Sequence, residues 1–315
     1  MPYDPRHDST RCSSTQALTA LVALSIAATV GLVVRLGLVF RPFDAAQPLA
    51  IVGGLAGAAA YYRRRGVTNF VATLDALAAL VAFTTVYAVL MYAIASTGRP
   101  WFDARLAACD AALGFSAPEV VAWFKARPRL ELALEIAYFS AIPQTALVII
   151  ALGLGGRREE LSRFLLRFVA SAMLTALVFY VAPARGTCAY YDFEVPDHYR
   201  RILIDLEAMR TGAQSVVTWR DAEGLITCPS FHATWGLLLA MALWNVRYVR
   251  WPALALNAVM LVSCVPVGMH YLADVLAGGA VVAAVMAAES LVIGRVVWRW
   301  PATGVARSAP APTES

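Results

Sequence analysis

Residues 229–274 read PSFHATWGLLLAMALWNVRYVRWPALALNAVMLVSCVPVGMHYLAD, and long apolar runs begin directly after His232 and after His270. The chain has only four histidines, so two of them stand at the entrances to these runs. Asp274 follows His270 by one helical turn. An ionisable side chain at the mouth of a membrane helix is costly and marks a candidate functional site. This stretch therefore predicts membrane helices that carry a reactive site at their ends.

The composition of the chain is that of a membrane protein. Of its 315 residues, 60% are hydrophobic and only 15% are charged, a balance that soluble domains rarely reach. The apolar residues fall into runs of about twenty, the length needed to cross a hydrocarbon core of about 30 Å. We expect an all-α, polytopic bundle of membrane helices. The net charge of +5 does not indicate nucleic-acid binding, because the basic residues cluster between the apolar runs.

Eight segments are candidate membrane spans. They are residues 17–40, 47–62, 70–96, 130–154, 161–182, 230–247, 251–268 and 271–297. The first run is too long for the core of a signal peptide and lacks a clear cleavage site, so we interpret it as a retained span. Residues 17–300 then form a single membrane domain, preceded by a cytoplasmic tail at 1–16. Residues 301–315, rich in Ala, Pro, Ser and Thr, are predicted to be disordered.

Arginine clusters indicate how the spans are oriented. If the spans alternate in direction, four clusters lie on one side of the membrane, and the positive-inside rule makes that side cytoplasmic. We therefore expect a multi-pass protein of the cell (inner) membrane, with both termini in the cytoplasm. The clusters lie within residues 63–65, 157–163, 247–250 and 295–299.

Two longer segments lie on the opposite, non-cytoplasmic side. Residues 97–129 mix aromatic and charged residues, which predicts amphipathic helices in the membrane interface. Residues 183–229 are polar enough to form a loop that caps a site. Acidic side chains of this loop could accept hydroxyl groups of a polyol headgroup, or could simply be solvated. They are Asp192, Glu194 and Asp197.

The spacing of the two histidines predicts that they meet. The segment between them corresponds to roughly 57 Å of helical rise, or about two bilayer crossings. The chain would cross the membrane, turn near Arg247 and return, which brings both histidines to the non-cytoplasmic face. His270 and Asp274 share one helical face. Asp274 can then accept a hydrogen bond from one ring nitrogen of His270 and leave the other nitrogen to attack.

The same face offers groups that can bind a phosphate. Pro229 and Ser230 are typical of a helix start, and the backbone N–H groups there, at Ser230 and Phe231, favour an anion. Arg185 emerges at this face and could clamp phosphate oxygens through its planar guanidinium. Anchoring of Arg185 among lipid headgroups is a serious alternative.

These motifs resemble those of the type 2 phosphatidic acid phosphatase superfamily. The resemblance is carried by PSFH at 229–232 and HYLAD at 270–274, and it covers roughly residues 180–280. The motifs look closest to the inositol phosphorylceramide synthase, or inositolphosphotransferase, branch. The resemblance implies that the later spans contain the six-helix core of the superfamily.

The resemblance also implies a role for each residue. His270 would be the nucleophile and form a phosphohistidine, and Asp274 would orient it. His232 would protonate the leaving group and later act as a base. No metal and no cofactor would be needed. The implied partners are a phospholipid donor and a lipid or polyol acceptor in the bilayer.

Two positions depart from the phosphatase pattern. Where phosphatases have a lysine before the arginine of their first motif, this chain has Val178, and where they have an arginine before the last histidine, it has Cys264. Two cationic phosphate ligands are therefore missing. We expect a transferase that moves a phospho-headgroup, with phosphoinositol as a candidate. A lipid phosphate phosphatase that uses water is the alternative.

Two further hypotheses concern the surroundings of the site, and a third concerns the function of the protein. Cys188 and Cys228 bracket the capping loop on the side where disulfides form, so they are a possible disulfide, with unbonded thiols as the alternative. Gln144 lies in a span, where hydrogen bonding within the bundle is expected, although it could reach a headgroup. A non-catalytic transporter or structural membrane subunit is the third hypothesis, and it predicts internal repeats that the sequence does not show.

Overall fold

The computed structural model describes residues 5–40, 42–194, 197–213, 215–217 and 227–293. In these residues the chain forms thirteen α-helices and one parallel pair of two-residue strands. The helices are α1 (Pro5–Leu36), α2 (Pro42–Arg64), α3 (Thr68–Ala95), α4 (Asp103–Ala112), α5 (Ala117–Lys125), α6 (Pro128–Phe139), α7 (Ala141–Leu154), α8 (Arg158–Val181), α9 (Thr187–Tyr190), α10 (Asp197–Arg210), α11 (Phe231–Leu243), α12 (Arg250–Ser263) and α13 (Leu272–Ile293). The strands are β1 (Val39–Phe40) and β2 (Val216–Val217).

Each of the eight predicted spans overlaps one helix or, at 130–154, two helices, and the all-α membrane bundle is confirmed. Four helical segments are long and apolar enough to cross a membrane, and α6 with α7, which meet at a bend of 43°, make a fifth if they count as one span. The remaining predicted spans are α2 and the shorter α11 and α12, of 13 and 14 residues. The four segments are Gln16–Leu36, Thr68–Ala95, Arg158–Val181 and Leu272–Leu291.

The segments predicted to flank or interrupt the membrane spans can be compared with the helices of the structure. Helix α1 begins at Pro5, inside the predicted tail at 1–16, and continues into the first span without a break. The predicted disordered segment 301–315 lies outside the described residues. Residues 97–129 contain two short helices, α4 and α5, where the sequence predicts amphipathic helices.

An aromatic core joins α3, α8 and α11. Phe168 of α8 packs edge-on against Phe231 and Trp235 of α11, with ring centroids 5.5 and 5.6 Å apart. Tyr87 of α3 packs against Phe231, and its hydroxyl donates to the carbonyl oxygen of Ala172 at 2.9 Å. Such internal hydrogen bonds hold helices together where lipid offers no partner. This core fixes the start of α11.

The basic turns converge at one end of the bundle. Arg157 donates to the carbonyl oxygen of Asn245 at 3.1 Å, and Arg158 donates to the side-chain oxygen of Asn69 at 3.2 Å. These bonds tie the start of α8 and the turn before it to the turn that follows α11 and to the first turn of α3. The opposite end of α11 carries His232, so the bundle has a basic end and a histidine end.

A buried ion pair fixes α13 against α8. Nε of Arg167 lies 2.6 Å from Oε2 of Glu289, and the two side chains are only 13% and 7% exposed. A charge inside a membrane bundle must be satisfied by the protein itself, because lipid cannot solvate it. The pair therefore sets the position of α13, the helix that begins directly after His270.

Candidate active site

The two histidine motifs are joined where α11 and α13 begin. The backbone N–H of Ser230 donates to the carbonyl oxygen of Asp274 at 3.0 Å. The hydroxyl of Thr234 lies 3.1 Å from the carbonyl oxygens of both Ser230 and Gly278. A Cβ added at Gly278 would lie only 2.6 Å from the Ser230 oxygen. Close approach of the two helices therefore depends on the missing side chain at this position.

A backbone carbonyl holds His270. Its Nδ1 lies 2.8 Å from the carbonyl oxygen of Thr227. Because a carbonyl oxygen only accepts, Nδ1 carries the ring proton and Nε2 keeps its lone pair. Oδ2 of Asp274 is 3.6 Å from Nδ1, which is beyond hydrogen-bond distance. The expectation that Asp274 accepts this bond is thus corrected, since Thr227 accepts it.

Asp274 is a fully buried carboxylate that shapes the start of α13. Its Oδ2 accepts the backbone N–H of Tyr271 at 3.1 Å. Its Oδ1 is buried and has no hydrogen-bond partner among the described residues. Asp274 therefore holds the backbone turn that carries the imidazole, and it places a carboxyl group beside His270.

His232 is paired with a tyrosine that sequence reasoning missed. Nδ1 of His232 lies 2.8 Å from the hydroxyl of Tyr138, and the two rings stack with centroids 3.9 Å apart. A hydroxyl both donates and accepts, so the bond fits either protonation state of the imidazole. No sequence signal marks Tyr138, because it is one aromatic residue among many apolar ones in the predicted span 130–154.

Gly268 lies where the surroundings of the two histidines meet. A Cβ added there would lie 2.6 Å from Cε2 of Tyr138 and 2.9 Å from Cδ2 of His270. The tyrosine that stacks on His232 and the imidazole of His270 therefore border the same point. The structure thus brings His232, His270 and Asp274 into one site.

Helix α4 contributes a buried carboxylate, Asp103, that organises the loop after α8. Asp103 accepts the backbone N–H groups of Arg185 and Gly186 at 3.1 and 3.0 Å, and the hydroxyl of Tyr271 at 3.1 Å. Gly186 has φ +92°, a conformation that glycine adopts without strain. The loop at Arg185 is therefore fastened to the residue that follows His270.

Asp110, two turns further along α4, caps α13. It accepts the backbone N–H of Leu272 at 3.0 Å and that of Ala273 at 2.8 Å. These are N–H groups that a helix start leaves without intrahelical partners. Residues 97–129 thus brace the site from within. The spacing of Asp103 and Asp110, which puts both on one face of α4, is the signal that could have revealed this role.

The three residues expected to bind phosphate differ in how far their polar groups are already used inside the fold. Ser230 is fully buried, its N–H is engaged by Asp274, and its Oγ accepts the N–H of Ala233 at 3.3 Å. Both groups of Ser230 are therefore used inside the fold. Phe231 is the first residue of α11, so its N–H is not used by the helix. The guanidinium of Arg185 lies over the ring of Trp101, at 5.5 Å from the centroid.

The hypothesised disulfide is not formed. Cys188 and Cys228 are both buried thiols. Burial, reinforced by the charge of Asp274, raises the pKa of Cys228. Cys264, at the position where phosphatases have an arginine, is also buried, and its Sγ donates to the carbonyl oxygen of Met260 at 3.3 Å.

The other polar candidates lie apart from the histidines or outside the described side chains. Gln144 takes part in hydrogen bonding within the bundle, where it accepts from Asn257 at 2.9 Å. Asp192 and Glu194 are exposed, and the side chain of Asp197 lies outside the described residues. Among the described side chains, no group of three or more His, Cys, Asp or Glu could hold a metal ion.

Comparison with known families agrees with this combination of a helical membrane bundle and a paired-histidine site. The model of the PAP2 superfamily matches residues 104–288. This match covers more than half of the chain and extends from α4 to α13, well beyond residues 180–280. The chain therefore belongs to the PAP2 superfamily. No match was found among curated proteins or among solved structures.

The superfamily comprises phosphatases and phosphotransferases. The chain is accordingly a multi-pass membrane enzyme of the lipid phosphatase or phosphotransferase kind.

Proposed function

We propose that this protein is a membrane phosphotransferase of the inositolphosphotransferase kind, which moves a phospho-headgroup from a phospholipid to a lipid or polyol alcohol. Phosphoinositol is the headgroup that we propose first. The site would face the non-cytoplasmic side of the inner membrane, beneath a cap formed by residues 183–229. The observation that carries the proposal is the bond from Nδ1 of His270 to the Thr227 carbonyl, which leaves Nε2 free to attack.

In the first step, Nε2 of His270 would attack the phosphorus of the donor lipid. A nitrogen–phosphorus bond forms, and the bond from phosphorus to the oxygen of the lipid alcohol breaks. The leaving oxygen takes a proton from His232, which is in contact with Tyr138. The positive charge that develops on the His270 imidazole is offset by the buried carboxylate of Asp274, 3.6 Å from Nδ1.

In the second step, the acceptor hydroxyl would return the enzyme to its starting state. His232, now neutral, takes the hydroxyl proton, and the acceptor oxygen attacks the phosphorus. The bond to Nε2 of His270 breaks, and the imidazole is restored. The Tyr138 hydroxyl can donate to Nδ1 of His232 or accept from it, which suits a group that gives up a proton and takes one back.

Transfer is favoured over hydrolysis by the residues around the histidines. Val178 and Cys264 stand where phosphatases have cations, and Cys264 is fully buried. His270 is only 2% exposed, and a shielded phosphoenzyme reacts less readily with water. Hydrolysis by the same two steps, with water as the acceptor, is the second candidate function.

The destination of the phosphate separates these functions. Purified full-length protein is incubated with headgroup-labelled phospholipids, with and without candidate lipid alcohols, and the labelled products are identified. A labelled lipid that appears only with the acceptor supports transfer, whereas free phospho-headgroup as the sole product would favour hydrolysis. No turnover in the wild type, or full retention of function in His270→Ala, would favour the transporter or structural-subunit hypothesis.

A further inference from the structure

Two arginines from separate segments share one tryptophan at the histidine end of the bundle. The guanidinium carbon of Arg210, in the last turn of α10, lies 3.6 Å from the ring centroid of Trp101. The guanidinium carbon of Arg185, in the loop after α8, lies 5.5 Å from the same centroid. Both are cation–π contacts. Because they use one ring, they bring two like charges close together.

Among the described residues, no carboxylate forms a salt bridge with either guanidinium, because every salt bridge there involves another arginine, a lysine or His270. Burial lowers the pKa of Arg210, the charge of Glu207 opposes this, and the charge of Arg185 lowers it further. Glu207 is exposed, so solvent screens its effect. In the described part of the chain, the pair therefore carries positive charge that no salt bridge balances.

The hydrogen-bond donors of the pair are only partly used. Arg210 donates to the carbonyl oxygen of Ala95 at 3.3 Å and also to that of Arg99, which anchors it to the end of α3. Nε of Arg185 is buried and has no hydrogen-bond partner in the described part of the chain. A buried N–H without an acceptor is costly. A ligand oxygen would supply the bond that the protein does not.

The phosphate role of Arg185 is already expected from its motif; we propose that Arg210, held beside Arg185 by the ring of Trp101, is a second cation, and that the two arginines form an anion site, the arginine clamp, for the phosphate group of a substrate headgroup. The proposed function supplies only the identity of the ligand. Guanidinium groups bind phosphate oxygens through a planar fork of donors, and the Trp101 ring holds both groups at one place. Arg210 thereby provides, from the cap, a cation of the kind that positions 178 and 264 lack.

The side chain of Asp103 connects the clamp to the residue that follows His270. The N–H of Arg185 donates to Asp103, which also accepts from the hydroxyl of Tyr271. Tyr271 directly follows His270. Asp103 therefore positions both the loop that carries Arg185 and the residue next to His270. A phosphate held by Arg185 lies beside this loop.

Binding of inorganic phosphate to the purified full-length protein tests the clamp without turnover. Thermal stability in detergent micelles is measured over a range of phosphate concentrations for the wild type, Arg185→Gln, Arg210→Gln and Arg201→Gln. Arg201 is an exposed arginine of the same helix, α10. Its replacement by glutamine removes the same charge, so Arg201→Gln is the matched control. We expect the apparent Kd for phosphate to rise about tenfold or more in the two clamp variants, as lost charge-assisted hydrogen bonds imply. We expect no change in Arg201→Gln.

Two results would overturn the clamp. One is an equal phosphate response in all four proteins, and the other is an equal loss in Arg201→Gln, which would indicate a general effect of charge. If Arg210→Gln does not fold, Arg210→Lys keeps the charge but loses the planar fork, so its phosphate affinity should still fall. An unchanged affinity in Arg210→Lys would remove Arg210 from the site.

Kinetics with the labelled phospholipid then identify the source of the phosphate. If the clamp holds the substrate headgroup, Arg210→Gln raises KM about tenfold or more, while Arg201→Gln does not. Loss of inorganic phosphate binding with an unchanged KM would overturn the assignment to substrate. Because phosphate binding is measured without turnover, failure of the proposed function and failure of the clamp give different results.

Discussion

Nδ1 of His270 and the carbonyl oxygen of Thr227 are 2.8 Å apart, and this contact fixes which imidazole nitrogen can react. Thr227 also holds the loop after α8, since its hydroxyl donates to the carbonyl oxygen of Ala184. One residue therefore joins His270, the proposed nucleophile, to the segment that carries Arg185. A backbone carbonyl orients the ring without a charge of its own, so in the proposed mechanism Asp274 balances the charge that develops during attack.

His270→Ala should abolish turnover. Loss of a nucleophile typically lowers kcat by about 10⁴- to 10⁶-fold, and label from the phospholipid should no longer attach to the protein. The measurements are turnover and covalent labelling of purified wild type and variant. Labelled protein in the variant, at the wild-type level, would show that another residue forms the intermediate.

Tyr138→Phe should lower kcat more than it raises KM. The hydroxyl is the partner of Nδ1 of His232, so its loss weakens the proton relay, while the stacked ring stays in place. We expect a fall of about tenfold, below the 10²- to 10⁴-fold contribution of a full acid–base group, and an altered pH–rate profile. Tyr248→Phe is the control, because Tyr248 is 87% exposed. Equal pH profiles for both variants would place Tyr138 outside the relay.

The spans and the histidine pair could be predicted from the sequence because their signals are local. Apolar runs of sufficient length specify helices, and an ionisable residue at the mouth of such a run stands out. His232, His270 and Asp274 are all of this kind. The shortness of α11 and α12 has no such signal, because the turns between them depend on contacts such as that of Arg157 with Asn245.

The supports of the site could not be predicted in the same way. Thr227 acts through its backbone, and a carbonyl oxygen leaves no trace in residue type. Tyr138 is one aromatic residue of an apolar span, and its role arises from packing against His232. The spacing of Asp103 and Asp110 on one face of α4 is a signal that they share a role, but the groups that they bind are distant in sequence, so these partners could not be named before the fold was known.

Asp103→Ala should destabilise the protein and lower its activity. Asp103 is 1% exposed and accepts two backbone N–H groups as well as the hydroxyl of Tyr271. Each buried donor that loses its acceptor costs about 1–3 kcal/mol. Thermal denaturation in detergent micelles measures the loss. Asp75→Ala removes a half-exposed carboxylate that pairs with Arg63 and should cost about 0.5 kcal/mol or less, so equal effects would contradict the buried role.

The cysteines of the cap should be insensitive to reductant. Cys188 and Cys228 are not bonded to each other, so turnover should be the same with and without a thiol reductant. Burial and the neighbouring Asp274 raise the pKa of Cys228, so its thiolate is scarce at neutral pH and becomes more abundant only as the pH rises. Exposed Cys109 should therefore be alkylated before Cys228 in the native protein. Mass spectrometry of the alkylated peptides tests this order, and early modification of Cys228 would contradict it.

Gly278 and Gly279 are adjacent in α13, and we expect substitution by alanine to destabilise the protein at Gly278 but not at Gly279. A Cβ at Gly278 would lie 2.6 Å from the carbonyl oxygen of Ser230, whereas the nearest atom to a Cβ at Gly279 is Cδ1 of Leu237 at 3.9 Å. Gly278→Ala must therefore push α11 from α13 and strain the bond between Ser230 and Asp274, at a cost of about 1–3 kcal/mol. Its turnover should fall as the two histidines separate. Gly279→Ala should keep stability and turnover, since the helix interior favours alanine. Thermal denaturation and turnover of the two variants, measured side by side, decide the matter, and equal tolerance would mean that close contact of these helices is not needed for the site.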